Sequence, residues 1–118
     1  MADFVMYIFI NSDLKMREGR SAAQIAHITH SITDAIVRDI YETIPTPEYC
    51  SRYLQWCNKP TMVILRATQS QLHDILNLPE TCPFYDDISN SRELTTVGIF
   101  PRTPGIDKRY DFSDYKLL

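Results

Sequence analysis

The sequence predicts an α/β domain layered around a mixed sheet, and three observations carry that expectation. Residues 4–10, FVMYIFI, form an almost unbroken apolar run with β-branched and aromatic members, the pattern of a strand covered on both faces. Ile25, Ile28, Ile32, Ile36 and Ile40 recur at spacings of three and four, a single stripe along one long helix. The order of segments is strand, helix, helix, strand, helix, strand, strand, and two strands bridged by helices favour a parallel crossover.

Taken in order, strand 4–10 runs into a polar stretch, 11–20, and then into the long helix, expected over residues 21–41. Ser21 followed by Gln24 has capping-box spacing, which places the helix start at Ser21. Gln24, His27, Asp34 and Arg38 are expected on the face opposite the isoleucines. Pro45 and Pro47 interrupt the chain, and Thr46-Pro47-Glu48 reads as an N-cap with proline at the first helical position. A short helix should follow to about Cys57, packing through Tyr49, Tyr53, Leu54 and Trp56. Lys59-Pro60 ends it, and residues 61–67, TMVILRA, read as a second buried strand. Thr68 caps a third helix over 69–78, with Leu72, Ile75 and Leu76 inward and Pro79 as the stop. Strands are expected at 83–88 and 94–100, joined by the turn Ser89-Asn90-Ser91. The tail, 104–118, carries Phe112, Tyr115, Leu117 and Leu118 and is expected to pack on the body.

At 118 residues the chain suits one domain, residues 1–118, because a second core would leave too little surface to bury in either. No apolar run approaches the roughly 20 residues that cross a bilayer, and the start lacks a basic secretion signal, so a cytoplasmic protein with no membrane partner is expected. Cys50, Cys57 and Cys82 include no C-x-x-C pair and are read as reduced thiols. A net charge of −3 gives no general attraction to nucleic acid, so an RNA partner must be met by a local basic patch. Lys15, Arg17 and Arg20 form one candidate cluster, and Arg102, Lys108 and Arg109 another; a solvated mixed-charge surface is the alternative for each.

Ligands of open α/β sheets collect at the carboxyl ends of strands, which here is the loop 11–20 and the start of the long helix. Free N–H groups and three nearby cations suit an anion there. A single Gly19 matches neither the P-loop nor the dinucleotide fingerprint, and nucleotide triphosphate hydrolysis is not expected. His27, His30 and Asp34 share helical spacing, but without a further nearby histidine they are not expected to bind metal, and His73 reads as a surface residue. Adjacent Asp86 and Asp87 point to different sides of a strand and make no glycosidase-like pair; turn acceptors are their plain reading. No G-x-S-x-G segment or cysteine–base pair supports covalent catalysis.

Asp13-Leu14-Lys15-Met16, then Gly19, Ala22-Ala23-Gln24 and His27, resembles without a gap the motif D-L-K-M-G-K-G-K-x-A-A-Q-x-x-H of the type II peptidyl-tRNA hydrolases, and the late stretch Thr95 to Pro101 also fits. The resemblance implies a three-layer α/β/α fold with a four-stranded mixed sheet, a homodimer, tRNA as partner, no metal or other cofactor, and hydrolysis of the ester joining a peptide to tRNA. By the same resemblance Arg20 stands at the family's active-site lysine, Asp87 at its aspartate and Thr95 at its later threonine, with His27 shaping the pocket or moving a proton. Lys15, Arg17, Gln24 and Ser91 fall at substrate-binding positions, Ser91 in a shortened loop where the family supplies a threonine. Arg17-Glu18 replaces Gly-Lys, and the arginine at position 20 keeps the charge without exchanging a proton at neutral pH. Both the arginine and the short loop are similar to the divergent peptidyl-tRNA hydrolase domain-containing branch, which implies as an alternative a weak or inactive module binding tRNA or protein.

Overall fold

A computed structural model describes residues 3–118. Strand β1 (Val5–Asn11) leads through a single 3-10 turn, Ser12–Leu14, into helix α1 (Glu18–Glu42), helix α2 (Glu48–Trp56), strand β2 (Thr61–Ala67), helix α3 (Gln69–Leu76) and the hairpin β3 (Thr81–Ile88) and β4 (Ser91–Ile99). The sheet order is β2-β1-β4-β3, with β1 and β2 parallel and the other pairings antiparallel. This is the α/β fold with a four-stranded mixed sheet that the sequence predicts.

β1 is central, and its alternation divides the core. Met6, Ile8 and Ile10 meet the stripe Ile28, Ile32 and Ile36 together with Tyr53 and Trp56 of α2. Phe9 points the other way, into Leu65, Leu72, Ile75 and the tail residues Tyr110 and Phe112. The sheet is therefore the middle of three layers, with α1 and α2 on one face and α3 with the tail on the other. The tail also shields an edge: the Arg66 N–H donates to the Lys116 carbonyl at 2.8 Å and the Leu118 N–H to the Ile64 carbonyl at 3.1 Å. An uncovered edge would present unpaired backbone groups to other chains. Among the described residues no helix is long and apolar enough to cross a membrane.

Several boundaries differ from expectation. α1 begins at Glu18, one turn before Ser21, because extended Arg17 supplies the capping carbonyl to the Ser21 N–H at 2.9 Å. Ser21 is thus buried inside the helix, and Gln24, expected on the polar face, is 1% exposed. Pro47, not Thr46, is the N-cap of α2, and Leu54 faces solvent. Thr68 does cap α3 through a reciprocal capping box with Gln71, although that helix stops at Leu76. β2 is a half-exposed edge strand and not a fully buried one, since only β1 and the tail flank it. β3 starts two residues earlier than expected, with Pro83 tolerated on the outer edge. β4 begins at Ser91, and the Ser89-Asn90 turn takes φ of 50° and 67° at its two central residues, as tight hairpins require. In the tail, Phe112 is buried whereas Leu117 and Leu118 stay largely exposed. Cys50, Cys57 and Cys82 are free thiols.

α1 approaches β4 closely at Gly98. A Cβ there would lie 2.6 Å from Ile32 Cδ1 and 3.0 Å from Ile28 Cγ1. Overpacking at such a contact costs about 1–3 kcal/mol, so Gly98→Val is expected to lower the urea midpoint without changing the slope of the transition.

Candidate functional site at the amino end of the long helix

The chain leaves β1 at Asn11, which is fully enclosed. Its Nδ2 donates to the Leu94 carbonyl at 2.8 Å and to Gln69 Oε1 at 2.6 Å, while its Oδ1 accepts the Asp13 N–H at 3.0 Å. Asp13 in turn accepts the Gln69 N–H at 2.9 Å, placing a carboxylate in the first turn of α3, where free N–H groups favour it. These bonds fix the loop that carries Lys15 and Arg17, and Lys15 completes the turn in a left-handed conformation at φ 50°.

From that loop α1 starts beside the β3–β4 hairpin. β4 holds one extra residue: Phe84 pairs with Thr96 and Tyr85 with Leu94, leaving Thr95 without a cross-strand partner. The bulge turns Thr95 toward α1. Its hydroxyl donates to Gln24 Oε1 at 2.8 Å, with the Phe84 carbonyl at 3.2 Å as a second acceptor. Gln24 Nε2 donates to Asp86 Oδ2 at 2.9 Å, and the Asp87 N–H donates to Asp86 Oδ1 at 2.8 Å. The Gln24 and Asp87 hydrogen bonds, aided by the charges of His27 and Arg20, hold the Asp86 carboxyl below its ordinary range. His27 lies on the same flank of α1, its ring stacked on Phe84 at 4.7 Å. Arg20 Nη1 donates to the Asp87 carbonyl at 3.3 Å.

Arg20, Gln24, His27, Asp86 and Thr95 thus converge on one flank of the helix start. Residues 4–82 match the family model for peptidyl-tRNA hydrolase PTH2, a span well over half of the chain. The chain belongs to this family. No curated protein matches it significantly. The matched span of this PTH2-family chain takes in Lys15, Arg17, Arg20, Gln24 and His27 and stops before Asp86, Asp87, Ser91 and Thr95.

The structure of the PTH2-family protein separates the predicted site residues. Asp87, expected to supply the carboxylate, is exposed and contributes backbone groups, whereas Asp86 supplies the side chain that meets Gln24. Thr95 is completely buried, so it touches Gln24 and not the solvent. Ser91 sits at the far end of the hairpin with its hydroxyl donated to Glu93 at 2.8 Å. Lys15 and Arg17 are exposed and form no ion pair among the described residues. The second basic cluster is different: Arg102 bonds Glu80 at 2.9 Å and covers the Tyr110 ring, and Arg109 pairs with Asp107 at 2.7 Å, so both charges are compensated. Asn11 and Asp86 were not among the predicted site residues. Phe84 held the signal for Asp86, since strand alternation puts both on the helix side.

A carboxyl held low in the fold stabilises it above the unfolded value near 3.8, and that contribution is lost as pH falls through the lower folded value. The Asp86 carboxyl should therefore titrate below 3.8 by NMR, and in Gln24→Leu its midpoint should rise. The same variant leaves the buried Thr95 hydroxyl without the Gln24 acceptor, at a cost of about 1–3 kcal/mol in chemical denaturation.

Proposed function

We propose that this chain hydrolyses the ester between a peptide and the terminal ribose of tRNA, with family membership giving the class of reaction. The observation that carries the reading for these residues is the Asp86 carboxylate held by Gln24 next to the Asp87 carbonyl that the Arg20 guanidinium bonds, beside the α1 amino end.

Asp86 is ionised at neutral pH, and each of its oxygens already accepts one protein hydrogen bond. A remaining lone pair suits it to accept from a water and aim that oxygen at the ester carbonyl. Attack forms the new C–O bond and a tetrahedral oxyanion, and Arg20 offers the N–H groups not used by the Asp87 carbonyl to that charge. Collapse breaks the bond to the ribosyl oxygen, and the proton from the water passes to that leaving oxygen. His27, exposed and fixed by its stack on Phe84, is the group suited to carry it. Gln24 and Thr95 are positioning residues, because Thr95 sets the amide orientation that presents the Gln24 N–H to Asp86.

A second reading, a binding module without turnover, is favoured by Arg20, whose guanidinium stays charged and is tied to a backbone carbonyl. N-blocked aminoacyl-tRNA separates the two. Under the hydrolase reading the wild type releases the blocked amino acid, Asp86→Asn and Arg20→Ala each lose about 10²-fold or more, Arg20→Lys retains activity, and Asp87→Asn stays near wild type. Intact tRNA binding with no wild-type release would establish the module instead.

A further inference from the structure

The sheet face opposite α1 is only partly filled by α3. Leu72 and Ile75 of that helix pack with Phe9, Leu65 and Ala67, while the tail arches over the rest, from the bridge of Arg102 with Val5 to that of Leu117 with Leu65. Inside the arch lies a cleft of about 510 Å³, within the roughly 300–1,000 Å³ typical of small-molecule sites. The register partners Tyr7 and Val63, both half-buried, form its floor with Leu65, and Tyr110 and Phe112 form a wall.

We propose that this cleft binds a free α-amino acid with a large apolar side chain, its carboxylate held by Lys108, its ammonium by Asp111 and its side chain laid on the aromatic floor. The inference does not depend on the hydrolase reading, because the Asp86 cluster lies on the α1 face of the sheet. Charge selects the ligand class. Of the three charged residues in the lining, Asp107 is matched by Arg109 at 2.7 Å, whereas Lys108 and Asp111 form no ion pair among the described residues. These two are opposite in sign and belong to one turn, since the Asp111 N–H donates to the Lys108 carbonyl at 3.3 Å. The Ser113 N–H donates to Asp111 Oδ1 at 3.1 Å and holds its carboxyl below the ordinary range, so it is ionised at neutral pH. Burial, and then the Asp111 charge, push the Tyr7 phenol up against the opposing effect of Arg102, so the floor adds a hydroxyl and no charge. Both signs therefore stand on the tail side of the cleft, over an apolar sheet. A matching ligand carries both charges at one end and an apolar body at the other, which is the plan of an α-amino acid. A simple anion would leave Asp111 covered and unpaired, and a simple cation would do the same to Lys108, at the cost of desolvating a charge without a partner. The rings favour an aromatic body: Tyr7 and Phe112 already meet edge to face at 5.0 Å, and a further ring extends that packing.

Amide-resolved NMR titrations of the whole chain with L-phenylalanine test this, beside N-acetyl-L-phenylalanine, which lacks the ammonium, phenethylamine, which lacks the carboxylate, and L-serine, which lacks the apolar body. Phenylalanine should shift the Val63, Asp111 and Phe112 signals saturably, and each of the other three should bind about tenfold more weakly or worse. Lys108→Gln should lower phenylalanine affinity to that of phenethylamine while leaving phenethylamine itself unchanged. Because Lys108 is exposed and outside every ion pair among the described residues, the variant should keep its fold, which undisturbed Phe9 and Leu72 signals check. Absence of a saturable phenylalanine shift, equal binding by any of the three comparison compounds, or unchanged phenylalanine affinity in Lys108→Gln would overturn the assignment.

Discussion

The arrangement around the helix start depends on one buried amide. Gln24 is enclosed, so both ends of its side chain must find partners inside the protein or leave a desolvated polar group unpaired. The Thr95 hydroxyl satisfies the oxygen and Asp86 takes the N–H, which settles the orientation of the amide. That choice joins α1 to both strands of the hairpin through side chains, at the point where the apolar contacts of the isoleucine stripe give way to polar ones. The helix position is set by packing lower down, at Gly98, and its chemistry by the amide above.

A single-residue irregularity decides which groups reach the amide. Without the bulge, continued alternation along β4 would place Thr95 on the face opposite Thr96. With the extra residue, Thr95 turns to the helix while Leu94, Val97 and Ile99 remain in the other core. Thr96 beside it is also fully buried, and its hydroxyl has no partner among the described residues, a polar group retained in the apolar layer at the same bulge. β3 has no extra residue, and its alternation delivers Asp86 inward with Phe84 and turns Asp87 out.

This explains what could be read from the chain and what could not. Element identity follows from local periodicity, and β1, the isoleucine stripe and the Thr68 cap were all legible for that reason. The start of α1 was not, because Ser21 and Gln24 have capping-box spacing whether they cap a helix or lie within it, and only the Arg17 backbone distinguishes the two. Motif matching brought out Arg20, Gln24 and Thr95 as candidates and named Asp87, whereas the carboxylate that bonds Gln24 is that of Asp86, since strand phase depends on contacts such as His27 with Phe84 that are remote in sequence. The exposure of β2 was hidden for a similar reason: the strand reads as buried, and only the sheet order reveals it as an edge.

Charge placement follows the same logic. A chain with net charge −3 repels polyanions at long range, so local positive potential depends on which cations keep their charge uncompensated. At the opposite end of the sheet, Arg52 and Arg102 share Glu80 and Arg109 is matched by Asp107. Around the amino end of α1, Lys15, Arg17, Arg20 and Arg66 form no ion pair among the described residues. Pairing therefore ties three arginines to carboxylates at one end, while at the other the cations form no ion pair although Asp13, Glu18, Asp86 and Asp87 lie among them. Attraction of a polyanion to so acidic a chain must then come from individual unpaired side chains at short range and not from a field over a whole end, because charges of both signs within a Debye length largely cancel farther out.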